Sequence, residues 1–224
     1  MAPTGKKLYI IVGHYGSGKT NFAVNLAVDL QKRGEKVAIA DMDIVNPYFR
    51  SADFTELFEK LGIDVVNPPF ANTNLDIPSV TAEIDGLLER RDTSVILDIG
   101  GDDAGAAVLG RYSQKIKDRG EYELLYVINK SRYLTREADD TIQVLREIEA
   151  ASRLKATGLV NNTHLCTETT PETVEHAFDY ADEIAEKTGL PILYTTVRRD
   201  LLEKVDAKGR ILYPVDIYVK TPWQ

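Results

Sequence analysis

The sequence predicts an α/β domain in which a mainly parallel β-sheet is flanked by helices on both faces. Three observations lead there. Short, fully apolar runs recur along the chain, amphipathic segments of helical period separate them, and a glycine-rich loop joins the first run to the first helical segment. Continuous apolar runs, without alternation, belong to strands covered on both sides. Their regular exchange with helices implies parallel pairing through crossover connections.

The elements follow in order. Leu8-Tyr9-Ile10-Ile11-Val12 reads as a buried strand. Phe22, Leu26 and Leu30 recur every four residues with Ala23, Val24 and Ala27 beside them, and Gly34 stops that helix. Val37-Ala38-Ile39-Ala40, Val95-Ile96-Leu97 and Leu124-Leu125-Tyr126-Val127-Ile128 are the next strands. Ile142, Leu145 and Ile148 form the apolar stripe of a helix, and Thr157-Gly158-Leu159-Val160 is a further strand. Thr170 before Pro171 is an N-cap with proline at the first helical position, opening a helix expected to end near Gly189. Pro191-Ile192-Leu193-Tyr194 is the last core strand, and Ile211 to Gln224 reads as an edge strand or extended arm. Asn67 to Pro78 is the longest loop-like stretch, either a surface connection or a loop facing a partner or substrate. No repeat, linker or low-complexity tract divides the chain, so residues 1–224 are read as one domain.

Composition narrows the function. With 35 acidic against 27 basic side chains and a formal charge of −8, the chain lacks the basic surface that sequence-nonspecific nucleic-acid binding requires. Its single cysteine, Cys166, excludes an intramolecular disulfide and an all-cysteine metal or iron–sulfur site within one chain. No stretch approaches the roughly 18–20 apolar residues that span a bilayer, and Leu8–Val12 is too short for a secretion-signal core. A soluble cytoplasmic protein is expected.

The strongest chemical signal is Gly13-His14-Tyr15-Gly16-Ser17-Gly18-Lys19-Thr20, a complete G-x-x-x-x-G-K-[ST] with a strand before it and a helix after it. Its glycines let successive backbone N–H groups turn inward around a phosphate, and the helix beginning near Lys19 adds the positive end of its dipole. Lys19 suits the β- and γ-phosphates, and the Thr20 hydroxyl suits Mg²⁺. Two other strand ends supply carboxylates: Asp41 and Asp43 after Ala40, and Asp98 after Leu97, followed by Asp102 and Asp103. In a parallel sheet these ends lie at the same edge as the loop. An aspartate placed there suits a hydrated cation, or else caps a helix.

Together these residues resemble the MinD/ParA/CobQ-type nucleotide-binding proteins, a branch of the P-loop NTPases that includes the nitrogenase iron protein. Gly13–Thr20 stands where the family has its Walker A loop. Asp41-Met42-Asp43-Ile44-Val45-Asn46-Pro47 resembles its switch I, and Asp98-Ile99-Gly100-Gly101 its Walker B and switch II. Thr157–Asn162 resembles the strand whose asparagine reads adenine; Asn161 is the matching position and Asn162 its rival. Val197–Leu202, with Arg198, resembles the loop over the base. The resemblance implies a P-loop fold that binds ATP and Mg²⁺ and hydrolyses ATP slowly. In that scheme Lys19 and the Gly16–Thr20 amides hold phosphates, Thr20, Asp43 and Asp98 organise Mg²⁺, Asp43 positions water, and Gly101 senses the γ-phosphate. It further implies a nucleotide-dependent switch acting on a protein partner, with a homodimer that is either ATP-dependent or constitutive. One departure stands out. His14 occupies the place where much of the family carries a signature lysine that reaches across a dimer.

The absences are informative within that family. No cysteine follows Asp98, which excludes an iron–sulfur cluster of the nitrogenase type, and no amphipathic C-terminal helix is present for membrane attachment. Two other readings stay open: an ATP-dependent, carboxylate-activating biosynthetic enzyme of the dethiobiotin-synthetase/CobQ kind, and a module that binds ATP without turnover. For the first, Asp102, Asp103 and the 67–78 loop are candidate pocket residues. Asn46-Pro47-Tyr48-Phe49-Arg50 is either a partner hot spot beside the switch or a packing anchor. His164 and Cys166 are expected on the surface of a polar loop, and His176 on the outside of a helix.

Overall fold

The computed structural model describes residues 7–43, 55–66 and 77–219. Asn46–Arg50, residues 67–76 of the long loop, and the tail beyond Val219 lie outside the described residues. Within them the chain forms one eight-stranded sheet in the order β3-β2-β4-β1-β5-β6-β7-β8. The strands are β1 (Leu8–Gly13), β2 (Val37–Met42), β3 (Asp64–Val66), β4 (Ser94–Ile99), β5 (Tyr122–Ile128), β6 (Gly158–Asn161), β7 (Ile192–Arg198) and β8 (Leu212–Val215). Every neighbouring pair is parallel, which extends the expected mainly parallel sheet to the edges.

Among the described residues eight α-helices cover it: α1 (Lys19–Lys32), α2 (Thr55–Leu61), α3 (Ile77–Glu89), α4 (Asp102–Gly110), α5 (Ser113–Arg119), α6 (Ala138–Ser152), α7 (Pro171–Glu175) and α8 (Phe178–Thr188). The two-residue period of the strands divides the core into two layers. Leu8, Ile10, Ala40, Leu97, Leu124 and Tyr126 face the layer that holds Leu109 of α4, Ile142 of α6 and Ile184 of α8. Tyr9, Ile11, Ile39, Ile96, Leu125 and Val127 face Phe22, Leu26 and Leu30 of α1. Both sides of β1, β2 and β4 are buried throughout, which is why their sequences show no alternation.

Three elements differ from expectation. β3 is a short, half-exposed edge strand with an aspartate in it, so no apolar run announced it. The segment ending in Asn67–Pro78 is shorter, because α3 already includes Ile77 and Pro78. The helix opened by Thr170 does not run unbroken to Gly189: it stops at Glu175 and restarts at Phe178. The Thr170–Thr173 capping box forms as its sequence suggests. At the interruption Ala177 N donates to Val174 O at 3.1 Å, a tighter i−3 bond, and the buried Ala177 carbonyl accepts both from Ala181 N at 3.0 Å and from Asn161 Nδ2 at 3.4 Å. The tail forms edge strand β8 and continues along α1, where Asn21 and Asn25 clasp it: Asn25 Nδ2 donates to Asp216 O at 2.8 Å and Tyr218 N donates to Asn21 Oδ1 at 2.8 Å.

The ring of Phe22 is fully buried and meets Tyr194 and Tyr213 edge-on at 5.4 and 5.9 Å, joining α1 to β7 and β8. Phe22→Ala is expected to destabilise the fold by about 3–5 kcal/mol in urea unfolding. A loss well below 1 kcal/mol would show that α1 is not anchored through this ring.

Candidate nucleotide-binding site

The parallel pairing places the loops after β1, β2, β4, β5, β6 and β7 at the carboxyl edge of the sheet. The loop after central strand β1 is flanked by the ends of β4 and β5, with those of β2, β6 and β7 beyond. Register brings Asp98 level with Ile11 and with Asp41, so the carboxylates stand beside the phosphate loop as the motif spacing anticipates. In the loop, Ser17 N donates to His14 O at 3.1 Å, and Phe22 N donates to Gly18 O at 3.0 Å as α1 begins. Gly16 and Gly18 have φ of 73° and 91°, the left-handed region that glycine adopts without strain. Lys19 is 7% exposed and donates to His14 O at 3.2 Å, folding its ammonium back over the loop.

Neighbouring strand ends crowd this loop so tightly that side chains are excluded at the contacts. A Cβ at Gly13 would come within 2.5 Å of Val127 O, and one at Gly18 within 2.3 Å of Asn162 Nδ2. From the β4 end, Gly100 lies against Asp43, and Gly101 against the backbone of Tyr15, where a Cβ would be 3.0 Å from its Cα. The two acidic segments and the phosphate loop are therefore in direct contact, as a site shared by Lys19, Thr20, Asp43, Asp98 and Gly101 requires.

The electrostatics are those of a site built for charged ligands. Asp98 is 1% exposed and neither carboxylate oxygen has a hydrogen bond of ordinary geometry. Burial, then Asp41 and Asp43, push its pKa up to about 8, while the Thr20 hydroxyl and Lys19 act to keep it charged. Burial likewise lowers the Lys19 ammonium, against the pull of Asp98, Asp43 and Asp102. A buried carboxylate left without a partner beside a threonine hydroxyl fits a Mg²⁺ site. Among the described residues no group of three or more His, Cys, Asp or Glu could hold a metal.

Several residues stand differently from the sequence expectation. Asp102 does not cap a helix starting near Ala104. It is itself the first residue of α4, at a left-handed φ of 62°, and its Oδ1 lies 2.5 Å from His14 Nδ1. Asp103 is exposed in the same turn. Asn161 is 1% exposed and engaged at both ends, its Oδ1 accepting from Thr163 Oγ1 at 2.9 Å and its Nδ2 donating to Ala177 O. Neither end is free for a base. Asn162 points the other way, as alternation along a strand dictates, and donates to Ser17 O at 2.7 Å while its Oδ1 meets Thr196 Oγ1 at 2.5 Å. Arg198 pairs with Asp200 through Nε at 2.5 Å and holds the carbonyls of Cys166 and Thr167. Together with Asn21, Asn162 and His164 it lines a cavity of about 10 Å³, space for one water, so the 164–170 loop must yield before a base can enter there.

His164 is not an outlying surface residue. Its Nε2 is buried without a partner, 2.8 Å from where a Cβ on Gly18 would lie. Cys166 is half-buried and unbonded, and His176 is exposed as expected. Burial, and then the charge of Arg132, lower the His164 pKa to about 4. The unfolded chain therefore binds a proton below about pH 6.5 that the native site refuses, so stability falls as pH drops from there towards 4. His164→Gln is expected to remove up to about 3 kcal/mol of that pH dependence, checked by unfolding free energies at pH 7 and 4.

The comparisons agree with this architecture. The model of the CobQ/CobB/MinD/ParA nucleotide binding domain matches residues 9–210. No curated protein matches the chain significantly. Among solved structures, cell division protein FtsY from Thermotoga maritima aligns with a TM-score of 0.57 at 22% identity, covering 85% of this chain and 61% of that one. The signal recognition particle receptor FtsY from Elizabethkingia anophelis, in complex with GDP, gives 0.56 at 18%, covering 86% and 57%. The signal recognition particle 54 kDa protein from Aeropyrum pernix, also with GDP, gives 0.55 at 20%, covering 85% and 41%. The chain thus spans less than two thirds of each, and the likeness is one of fold. With a matching family model over almost its whole length, the chain belongs to the CobQ/CobB/MinD/ParA nucleotide-binding family of P-loop NTPases.

Proposed function

We propose that the chain binds ATP with Mg²⁺, hydrolyses it slowly, and uses the bound nucleotide to set the segments after β2 and β4 for a protein partner. The observation that carries this reading is the convergence of Lys19, Thr20, Asp43 and Asp98 at one loop, with the buried Asp98 carboxylate making no hydrogen bond of ordinary geometry. The backbone amides of Gly16–Thr20 and the Lys19 ammonium bind the phosphates, and Tyr15 and His14 form the outer side of the loop. Thr20 and Asp98 hold Mg²⁺, with Asp43 acting through water. The ion supplies charge neutralisation on the phosphate oxygens. Asp43 orients the attacking water, and Gly101, packed on Tyr15, registers the loop's occupancy.

A guanine nucleotide is the second reading, favoured by the GDP found in two structures of the same fold. Asn162 is the one of the two asparagines hydrogen-bonded to the phosphate loop, through Ser17 O at 2.7 Å. Fluorescent ATP and GTP analogues titrated in parallel decide between the two bases. Light scattering with triphosphate, non-hydrolysable analogue or diphosphate reads out a nucleotide-dependent homodimer.

Lys19→Ala is expected to weaken triphosphate binding by about 10- to 100-fold with an unchanged circular dichroism spectrum; unaltered affinity would overturn the phosphate-loop assignment. Asp43→Ala is expected to keep binding within a few-fold while hydrolysis falls by about 100-fold or more. Retained turnover in that variant would remove Asp43 from the reaction.

A further inference from the structure

The turn after β5 brings a cation to the phosphate loop that no motif announced. Asn129, fully buried, pins this turn: its carbonyl accepts from Arg132 N at 3.1 Å and from Thr135 Oγ1 at 3.1 Å, and its Oδ1 accepts from Ser131 N at 2.9 Å. Lys130 N donates to Thr163 Oγ1 at 3.1 Å, tying the turn to the β6 loop. The Arg132 side chain thereby lies along Gly16, where a Cβ would be 3.4 Å from Nε and 3.6 Å from Cζ. Its Nε is buried without a hydrogen-bond acceptor, and no carboxylate among the described residues pairs with its guanidinium.

Leaving a buried charged donor unmet is costly, about 1–3 kcal/mol or more, so such groups persist where a ligand completes them. Two further arginines, Arg198 and Arg199 after β7, are already committed to Asp200 and Asp216. His14 is bound to Asp102 and carries no permanent charge. The charge of Arg132 is felt inside the loop, since it helps to hold His164 neutral. A planar, permanently charged fork beside a loop of inward-facing amides matches phosphate oxygens.

We propose that Arg132 donates to a terminal phosphate oxygen of the nucleotide held by Gly13–Thr20, and so supplies from within the same chain the positive charge absent at His14. The inference rests on the phosphate-loop reading. During hydrolysis the water oxygen bonds to the γ-phosphorus as the bond to the β–γ bridging oxygen breaks. The bonding pair leaves on the diphosphate, and the water's proton passes to the released phosphate or to solvent. Arg132 transfers no proton; it stabilises charge developing on the phosphoryl oxygens.

The experiment compares Arg132→Ala, Arg132→Lys and Lys19→Ala with the unaltered chain. Equilibrium affinities for fluorescent tri- and diphosphates, trapping of the diphosphate by aluminium fluoride, and single-turnover hydrolysis are measured. Arg132→Ala is expected to keep diphosphate affinity within about threefold, to lose aluminium fluoride trapping, and to hydrolyse about 10³-fold more slowly. Arg132→Lys should recover only part of each, because a point charge does not reproduce the fork. In mixtures of Arg132→Ala with Lys19→Ala, turnover should stay at the sum of the two variants alone. Recovery of turnover on mixing would make the arginine act across a dimer and overturn the intramolecular proposal. Trapping and turnover equal to the unaltered chain would overturn it outright, as would a loss confined to melting temperature. Arg132→Gln, which keeps the side-chain stem, replaces the alanine variant if truncation prevents folding. Failure of Lys19→Ala to lose triphosphate affinity would instead count against the phosphate loop itself.

Discussion

Everything at the carboxyl edge of this sheet depends on how closely the backbone of the phosphate loop is approached by its neighbours. Val127 O abuts Gly13, Asn162 and His164 abut Gly18, and the β4 end abuts Tyr15 through Gly101. The glycines serve two ends at once. Positive φ at Gly16 and Gly18 turns amides inward, and the missing side chains at Gly13, Gly18 and Gly101 let other loops come within van der Waals distance. The motif is usually described by what it does to a phosphate. Here the same residues also determine which loops respond to that phosphate, because only loops in direct contact with the backbone can be displaced by it.

The charges in the site are balanced only in part. Asp98, buried and driven up to about 8, and Lys19, driven down, each resist ionisation through the same loss of solvent and each favour ionisation in the other. Arg132 and His164 add two buried nitrogens without acceptors on the opposite side of the loop. A bound triphosphate with its cation meets both shortages: the cation answers Asp98, and phosphate oxygens answer Lys19 and the unpartnered donors. The polarity deficit of the chain alone thus has the composition of the ligand proposed for it.

The core strands and α1 were legible because buried strands read as unbroken apolar runs and the helix carries a four-residue stripe. The phosphate loop and its carboxylates were legible because spacing along the chain and position at a strand end are both local properties. What escaped was decided at long range. β3 takes its place by pairing with β2 at the edge, so Asp64 tolerates a strand with one side exposed. The break at His176–Ala177 keeps the helical apolar period through Val174, Phe178 and Ala181, so the sequence pattern carries no sign of the tightened turn from Ala177 N to Val174 O. Arg132 and His164 are ordinary polar-loop residues in the sequence; the pinning of two separate turns, by Asn129 and Thr163, carries them to the site. Asn161 and Asn162 face opposite ways, as alternation along a strand requires, but which of them meets the phosphate loop is set by the placement of neighbouring strands and not by any local pattern.

The contacts of the loop also define how a change there must spread. α4 is joined to the loop at two consecutive positions: Gly101 packs on the Tyr15 backbone, and Asp102 meets His14. Asp102 holds a left-handed backbone conformation that a non-glycine residue adopts only at a cost of about 1 kcal/mol or more. The imidazole contact holds the first turn of α4 beside the loop, together with the packing of Gly101 on Tyr15. Lys19 folds back on the carbonyl of the same His14. Drawing the Lys19 ammonium onto phosphate oxygens removes that restraint from His14, and with it one of the two ties on α4. α4 in turn packs against α6 through Leu109 and Leu145 in the same core layer. The contacts of Lys19 and α4 with the loop thus meet at the one position where this chain departs from the lysine of the family pattern, and the histidine there links the loop inward to α4.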